Sequence, residues 1–393
     1  MKLPLAIVGL AAISFAISFV ATLAIKNLAP RIGFVDKPGG RKIHANPKPL
    51  GGGISIFLGF TLPVLIGLIV IHFGRAPTEF ISSSPGHPSP IPAYWSGVRD
   101  STPVALELVV AALIMHLLGL WDDRKALGPY SKLLIQLAVI TGLVVFNNKI
   151  RALTFLGTVP SIILTVLWIA AVTNAFNFLD NMDGLSAGVA AVCTTAFLIA
   201  TLSIQQWFVA ASLALLLGSL LGFLCFNFAP ASIFMGDSGS LVIGLLLGTL
   251  TVRTTFLPPG VSFGAGWYAV FAPVIVLAVP LYDLVVVSAL RLMRGKSPFV
   301  GDTNHFSHRL VARGMSRRTA VLCLYLISAA TAVAAIILAH APTTFVAVLV
   351  FIQTLLILGV VMLLEQHPLP LQPNSANMSS PNTRSDAGMA PRI

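Results

Sequence analysis

The chain has 393 residues, of which 56% are hydrophobic and only 9% are charged, whereas about 25% of the residues in an ordinary soluble domain are charged. This balance excludes a soluble globular fold and predicts an integral membrane protein. The net charge of +11 would suit a nucleic-acid partner. In a membrane chain, however, the cations mark the side of the membrane on which a loop lies, so we expect no nucleic-acid binding.

The predicted elements are eleven apolar runs of about 20 residues, each long enough or nearly so to cross ~30 Å of hydrocarbon as a helix. In chain order they are 4–25, 52–73, 103–120, 133–147, 159–176, 184–204, 207–226, 239–256, 267–289, 319–340 and 343–364. The fourth, fifth and eighth are short or polar at their edges, which leaves ten spans as an alternative count. A cleaved signal peptide is the alternative for the first run. We therefore predict an all-α polytopic membrane protein.

Two segments differ in composition from these runs. The stretch 76–102 is rich in Pro, Ser and Gly and is predicted to be an external loop, and residues 367–393 are predicted to form a disordered cytoplasmic tail. Residues 1–366 then form a single transmembrane domain. The three cysteines lie inside apolar runs without disulfide or zinc spacing, so we expect them to be small core residues.

The distribution of Lys and Arg predicts the orientation of the chain. Eighteen of the 24 lie in alternate loops, namely 26–50, 121–132, 290–318 and the C-terminal tail. Because cytoplasmic loops carry the excess of these residues, the N-terminus is predicted to lie outside and the C-terminus in the cytoplasm. The acidic clusters described next are then all predicted to face the cytoplasm.

The first acidic cluster is Asp122-Asp123, which ends the third run, with Lys132 at the start of the fourth. An ionised carboxylate near hydrocarbon costs at least ~2.5 kcal/mol unless it faces a wet cavity, a partner or a metal. Two adjacent carboxylates both stay ionised at neutral pH only beside a cation or a metal. The alternative is an interfacial salt bridge with Arg124 or Lys125.

The second cluster consists of four amide and acid residues at intervals of three, Asn174, Asn177, Asp180 and Asp183. On a helix this spacing places the four side chains in one stripe that winds slowly around the axis. Such a stripe can bind a metal-bound polar ligand. The alternative is helix capping, with Asn181 or Asp183 as the N-cap and Gly184 as the turn. Capping explains one or two of these residues and not all four.

The third cluster is Gly236-Asp237-Ser238-Gly239-Ser240, which precedes the eighth run. Small residues let backbone N–H groups approach an anion, and a helix N-terminus favours a phosphate. Asp237 would repel a bare phosphate, but a divalent cation can bridge its carboxylate and pyrophosphate oxygens. The alternative is an ordinary Asp or Ser cap.

The loop 290–318 is basic and contains two histidines three residues apart. Its residues of interest are Arg291, Arg294, Lys296, His305, His308 and Arg309. No Cys or third nearby His completes a zinc site, so an anion such as phosphate, or a sugar, is favoured. The alternative is a basic patch that binds anionic lipid. The first loop, RKIHANPKPLGGG (41–53), is predicted to line the cytoplasmic opening of the same site.

The ninth run contains two residues that are unusual in an apolar helix, Pro280 and Asp283. Proline removes a backbone hydrogen bond, so we predict a kink that opens a lipid-facing groove. Asp283 is predicted to pair with Arg291 or Arg294.

These motifs resemble those of the polyprenyl-phosphate N-acetylhexosamine-1-phosphate transferase family, which includes phospho-MurNAc-pentapeptide translocase and undecaprenyl-phosphate GlcNAc-1-phosphate transferases. The match covers most of the chain, in the family's order: RKIHANPKPLGGG, DDRKALGPYSKLLIQ, NAFNFLDNMDGLSAG, FMGDSGS, PLYD and GDTNHFSHRL. The resemblance implies transfer of a sugar 1-phosphate from a UDP-N-acetylhexosamine to polyprenyl phosphate, with release of UMP. It also implies Mg²⁺ as cofactor, with Mn²⁺ as the alternative, and a multi-pass protein of the inner (plasma) membrane with its active site on the cytoplasmic face.

By motif position, the resemblance implies three roles for residues of the transmembrane catalytic domain. The metal ligands are Asn177 and Asp237, the catalytic acids are Asp122, Asp123, Asp180 and Asp183, and the substrate-binding residues are Lys132, Asn174, His305, His308 and Arg309. Either Asp122 or Asp123 is expected to handle the lipid phosphate. His305 and Arg309 are expected to clamp the pyrophosphate or the sugar.

The run His305-Phe306-Ser307-His308 is shorter than the histidine run of the pentapeptide-using branch, so the resemblance favours a plain N-acetylhexosamine, GlcNAc in the first place. Transfer of phospho-MurNAc-pentapeptide is one alternative. A cation-coupled nucleotide-sugar transporter is another, but it is expected to carry acids near the midplane and paired repeats. Membrane lipid and a second copy of the chain are further expected partners.

Overall fold

The computed structural model describes residues 2–36, 47–74, 91–147, 150–254, 267–297, 305–340 and 343–366. In chain order the α-helices are α1 (Lys2–Leu28), α2 (Gly52–Phe73), α3 (Ile91–Asp100), α4 (Thr102–Arg124), α5 (Pro129–Phe146), α6 (Thr158–Leu179), α7 (Leu185–Ser203), α8 (Trp207–Asn227), α9 (Asp237–Arg253), α10 (Ala272–Val276), α11 (Ala278–Met293), α12 (Phe306–Ala312), α13 (Arg317–His340) and α14 (Thr344–Gln366). Two short strands, β1 (Val35–Asp36) and β2 (Lys48–Pro49), pair antiparallel. The predicted tail 367–393 and most of the predicted external loop lie outside the described residues.

Nine of the described helices are long and apolar enough to cross a membrane, namely α1, α2, α4, α5, α6, α7, α8, α13 and α14. They coincide with nine of the eleven predicted runs, and the all-α membrane class is confirmed. The eighth predicted run corresponds to α9, which has 17 residues and is about 25 Å long at 1.5 Å per residue.

The ninth predicted run is divided into a 3₁₀ turn (Trp267–Phe271), α10 and α11, with a break at Leu277. Pro280 has no N–H with which to reach the carbonyl of Val276, so the helical ladder is interrupted there. The Cys193 thiol lies 3.4 Å from this carbonyl and donates to it. The predicted kink is therefore present. Of the three cysteines predicted to be core residues, Cys193 is buried, Cys323 is partly buried and Cys225 is exposed, so the prediction is wrong for Cys225.

Helix α9 is the centre of the domain. Every residue from Ser238 to Thr251 is buried, and α4, α6 and α2 pack around the helix. Glycines allow this close packing, since a Cβ on Gly119 of α4 would lie 2.3 Å from the Ser238 nitrogen and one on Gly244 would lie 2.4 Å from the Thr173 Cα. Small residues at such contacts let helix backbones approach each other in membranes. The start of α9 is thereby brought to the ends of α4 and α6.

Candidate active site

The three acidic clusters of the sequence meet at the Lys132 ammonium group, near the start of α5. Lys132 Nζ contacts Asp237 Oδ2 of α9, and lies 3.3 Å from Asp122 Oδ2 of α4 and 3.4 Å from Asn177 Oδ1 of α6. The Lys132 side chain is only 14% exposed. Four helices thus contribute to one mixed-charge centre, and the predicted alternative of Asp122 paired with Arg124 or Lys125 is replaced by its pairing with Lys132.

Asn177 and Asp237 are joined directly. Asn177 Nδ2 donates to Asp237 Oδ1 and to Ser240 Oγ, both at 2.9 Å. The amide nitrogen of Asn177 therefore faces α9 and its amide oxygen faces Lys132. Both oxygens of Asp237 also have donors, since Lys132 contacts the second one. Ser240 is a further polar residue that joins this centre.

Asp123 holds the N-terminus of α9. Its Oδ1 accepts the N–H of Asp237 at 2.8 Å, and its Oδ2 accepts the N–H of Ser238 at 3.2 Å. The preceding Gly236 has φ +74°, and a Cβ at that position would lie 2.5 Å from Asp123 Oδ2. A helix N-terminus favours such a negative charge. The N–H groups predicted to cradle a phosphate are thus bound to a carboxylate from α4, and neither Asp237 nor Ser238 is itself the N-cap.

Asp180 follows the end of α6 and reaches the same loop, where the N–H of Gly236 donates to it. Burial, together with the nearby carboxylates of Asp123 and Asp183, raises the pKa of the Asp180 carboxyl to about 8. At neutral pH this carboxyl holds a proton for much of the time. A cation placed beside it would lower the pKa and restore the carboxylate.

Asp183 stabilises a loop and does not contact Lys132. Its Oδ2 accepts the N–H of Ala231 at 2.9 Å, while the Asn227 side chain accepts the N–H of Gly184 at 3.0 Å. These two bonds tie the turn after α6 to the loop that leads into α9. The capping alternative is wrong here, because the N-cap of α7 is Gly184 at φ +75° and carries no side-chain bond.

Asn174 lies one helical turn before Asn177 and is not among the contacts of Lys132. Its Nδ2 donates to Gln136 Oε1 of α5 at 3.0 Å and to the Ala170 carbonyl at 2.8 Å. Gln136 is 1% exposed and lies four residues after Lys132, on the same face of α5. The predicted stripe on α6 is therefore divided, with Asn177 in the centre and Asn174 in a supporting contact one turn away.

The glycines of the first loop lie beside the start of α9, where the sequence analysis expected them. The backbone N–H groups of Gly52 and Gly53 donate to the carbonyls of Phe234 and Met235 at 2.9 and 3.0 Å. Lys48 Nζ donates to the Ala231 carbonyl at 2.6 Å. Residues 41–46 of the same motif lie outside the described part of the chain.

His305 is fixed by Asp283, which is fully buried in α11. Asp283 Oδ2 lies 2.9 Å from His305 Nδ1, and Oδ1 accepts the N–H of Phe306 at 2.7 Å. The predicted pairing of Asp283 with Arg291 or Arg294 is replaced by these bonds. A carboxylate at Nδ1 fixes the orientation of the imidazole ring. His308, one turn further, has its ring 6.3 Å from that of His305.

Phe178 links the histidine to the lysine centre, because it directly follows Asn177. The His305 ring meets it edge-on at 5.8 Å, and the buried Arg291 guanidinium lies over it at 4.9 Å. Ser307 Oγ also donates to Asn181 Oδ1 at 2.5 Å. The start of α12 is therefore docked against the C-terminal end of α6, beside the Lys132 centre.

Arg309 is paired with a residue that sequence reasoning missed. Its Nη2 lies 2.8 Å from Glu365 Oε1, near the end of α14. The Tyr282 hydroxyl donates to Glu365 Oε2 at 3.2 Å. The only sequence signal for Glu365 is that it is a single acid directly after the last apolar run.

The oxygen atoms of Asp237 and Asn177 fit a magnesium ion that is shared with substrate phosphates. Mg²⁺ is usually bound through one or two carboxylates together with phosphate oxygens and waters. Within the described residues no group of three or more His, Cys, Asp or Glu side chains is arranged to hold a metal. Asp237 and Asn177 are the described residues here whose oxygen atoms suit such an ion.

The comparisons with known proteins agree with this arrangement. Residues 105–255, which include most of the residues around Lys132, match the model of glycosyl transferase family 4. The "Probable undecaprenyl-phosphate N-acetylglucosaminyl 1-phosphate transferase" of Bacillus subtilis is 32% identical, over 86% of this chain and 88% of the relative. The decaprenyl-phosphate N-acetylglucosaminephosphotransferase of Mycobacterium tuberculosis is 33% identical, over 82% and 79% of the two chains.

A more distant relative has a similar name. The undecaprenyl-phosphate alpha-N-acetylglucosaminyl 1-phosphate transferase of Escherichia coli K12 is 27% identical, over 77% of this chain and 76% of its own. The likeness covers more than three quarters of this chain in each case. The chain is a multi-pass membrane transferase that belongs to glycosyl transferase family 4.

Proposed function

We propose that this protein transfers GlcNAc 1-phosphate from UDP-GlcNAc to polyprenyl phosphate, with undecaprenyl phosphate as the expected acceptor. The products are UMP and a lipid-linked pyrophosphate sugar, the first intermediate of a cell-envelope polysaccharide. The observation that carries the proposal is the meeting of Asp122, Asn177 and Asp237 at Lys132. The names of the relatives give the substrate class.

The chemistry explains why one cation is surrounded by several oxygens. Attack of a phosphate on a pyrophosphate brings negative charges together, so the catalyst mainly needs cations and rigid positioning. Lys132 supplies one cation at the junction of four helices. Asp237 and Asn177 would hold Mg²⁺, which neutralises charge on the pyrophosphate when it is bound.

Asp122 is the better candidate for the group that handles the lipid phosphate. Both oxygens of Asp123 accept backbone N–H groups of α9. Asp122 binds the N–H of Leu127 through Oδ1 at 2.6 Å, and its Oδ2 faces Lys132. This second oxygen can accept a proton from, or orient, an incoming phosphate. Asp123 then acts by holding α9 in place.

The cytoplasmic face of the plasma membrane is the proposed location of the site. Asp122 and Asn177 lie at the ends of α4 and α6, whereas Lys132 and Asp237 lie at the starts of α5 and α9. In helices that alternate in direction, these ends lie on one side of the membrane. The loops on that side hold most of the Lys and Arg residues, which supports a cytoplasmic position.

Release of UMP by the purified full-length protein tests the proposal. The protein is incubated with Mg²⁺, undecaprenyl phosphate and either UDP-GlcNAc or UDP-MurNAc-pentapeptide. We expect rapid release from UDP-GlcNAc, and rejection of the pentapeptide donor by a factor that can reach ~10⁴ for a site with buried polar contacts. Comparable rates would refute the GlcNAc assignment alone. Movement of intact UDP-GlcNAc across vesicles without UMP would instead support a transporter.

A further inference from the structure

Glu365 is a buried acid near the end of α14, a helix with many exposed apolar residues. Glu365 is 9% exposed, whereas Leu355 and Leu356 of the same helix are 68% and 65% exposed. A carboxylate in such surroundings is costly unless it is paired and hydrogen-bonded. Both of its oxygens are used, one by Arg309 and the other by the Tyr282 hydroxyl. We call these three residues the Glu365 network.

Asp283 and the Glu365 network hold α12 at two points, its start and its middle. Asp283 holds His305 at the start of this helix, and Glu365 holds Arg309 one turn later. Residues four apart lie on the same side of a helix. Tyr282 and Asp283 are neighbours on α11, so adjacent residues support both contacts. The Tyr282 ring also meets the Phe306 ring edge-on at 5.7 Å.

A second contact joins the same two segments. Arg313 Nη1 donates to the Leu364 carbonyl at 3.1 Å, one residue before Glu365. The end of α14 therefore receives two arginines from the α12 segment. A contact that only anchored the last helix could use the partly exposed Arg313 alone, whereas Arg309 is largely buried together with its acid.

We propose that Glu365 is a positioning residue, which orients the Arg309 guanidinium toward the phosphates of the nucleotide-sugar donor. The inference rests on the proposed function, because it takes a UDP-sugar as the ligand of α12. A planar guanidinium binds phosphate through parallel N–H bonds, so its orientation sets its affinity. Because the guanidinium is planar and rigid, the carboxylate that holds its Nη2 atom sets the orientation of the whole group.

Equilibrium binding of UDP-GlcNAc to the purified full-length protein tests this inference, with UMP release measured in parallel. The variants are Glu365→Gln, Arg309→Lys and the double substitution. We expect each single change to weaken binding about tenfold, because each removes part of the charged contact that orients the guanidinium. The double variant should bind no more weakly than Arg309→Lys, because Glu365 acts only through Arg309.

Glu107→Gln is the matched control, because Glu107 is also a partly buried acid and accepts a hydrogen bond from Asn147. Glu107 lies near the start of α4, whereas the candidate site lies at the end of this helix. This substitution should leave binding unchanged. Tyr282→Phe removes one of the two donors to Glu365 and should weaken binding by a smaller factor, which keeps the test valid if Glu365→Gln folds poorly.

Three results would overturn the inference. The first is unchanged affinity in both Glu365→Gln and Tyr282→Phe. The second is tighter binding of UDP-GlcNAc by Glu365→Gln, which would mean that Glu365 competes with the phosphate for Arg309. The third is a double variant in which the two losses of affinity multiply. Absence of binding to the wild-type protein would overturn it together with the proposed function. Normal binding without UMP release would refute the proposed function alone.

Discussion

Replacement of Asp123 by asparagine tests whether this carboxylate holds the start of α9. In the structure its two oxygens accept the N–H groups of Asp237 and Ser238. Asparagine has nearly the same shape but offers one oxygen and one NH₂ group. One backbone N–H would then face a second donor. The substitution therefore removes one bond and the negative charge at the helix N-terminus.

Two independent estimates give a similar loss of stability. A hydrogen bond to a charged group contributes ~1.5–3 kcal/mol, and loss of a helix N-cap costs ~0.5–2 kcal/mol. We therefore expect a loss of about 2 kcal/mol. Because α9 carries Asp237, a small displacement of its first turn should also lower turnover, by a factor on the order of 10² for a shift of ~1 Å.

The assay compares Asp123→Asn with Asp122→Asn in detergent-purified protein. Unfolding of a large membrane protein is often irreversible, so the measured quantities are the apparent Tm from tryptophan fluorescence and the half-life of activity at a fixed temperature. Asp122→Asn retains an oxygen for the Leu127 N–H and should lose UMP release with little change in the apparent Tm. A normal apparent Tm in Asp123→Asn, with greater instability in Asp122→Asn, would refute the reasoning.

Three further predictions concern the metal, the packing and the orientation of the chain. Asp237→Asn should lower kcat by a factor on the order of 10² or more, and near-normal turnover of a folded variant at limiting Mg²⁺ would contradict this role. Gly188→Ala places a Cβ 1.9 Å from the Tyr325 hydroxyl and should destabilise by ~1–3 kcal/mol, seen as a lower apparent Tm, whereas Gly67→Ala meets nothing within 4 Å and should be neutral. Lys296 is exposed, and a Lys296→Cys substitution in a chain without other cysteines should react with an impermeant maleimide only after the cells are permeabilised. Labelling in intact cells would show that the predicted orientation is wrong.

The sequence was sufficient to predict nine of the membrane helices and to select the polar residues that meet at Lys132. Apolar runs of about 20 residues identify membrane helices without tertiary information. Acids near hydrocarbon are unusual enough to be noticed individually. The stripe on α6 was recognised because its spacing is a property of one helix. These signals are local, so they are independent of how the helices pack.

The partners of these residues depend on packing between distant segments. Asp123 binds a backbone group 115 positions away, and Lys132 contacts Asp237 from 105 positions away. No spacing rule connects such pairs. Asp123 was therefore not recognised as the cap of α9, and Asp283 was expected to bind nearby arginines rather than His305. Glu365 was missed because its partner, Arg309, lies on a different helix.

The paired charges of the site explain how it can be both stable in a membrane domain and able to bind phosphates. Lys132 contacts Asp237, so each charge lowers the cost of the other near hydrocarbon. Lys132 can leave Asp237 for a substrate phosphate if another cation reaches Asp237 at the same time. A pyrophosphate that arrives with Mg²⁺ would meet this condition, because it would bring both an anion for Lys132 and a cation for Asp237. Each charge would then keep a counter-ion, and the bonds from Asp123 to the first N–H groups of α9 would hold Asp237 in position.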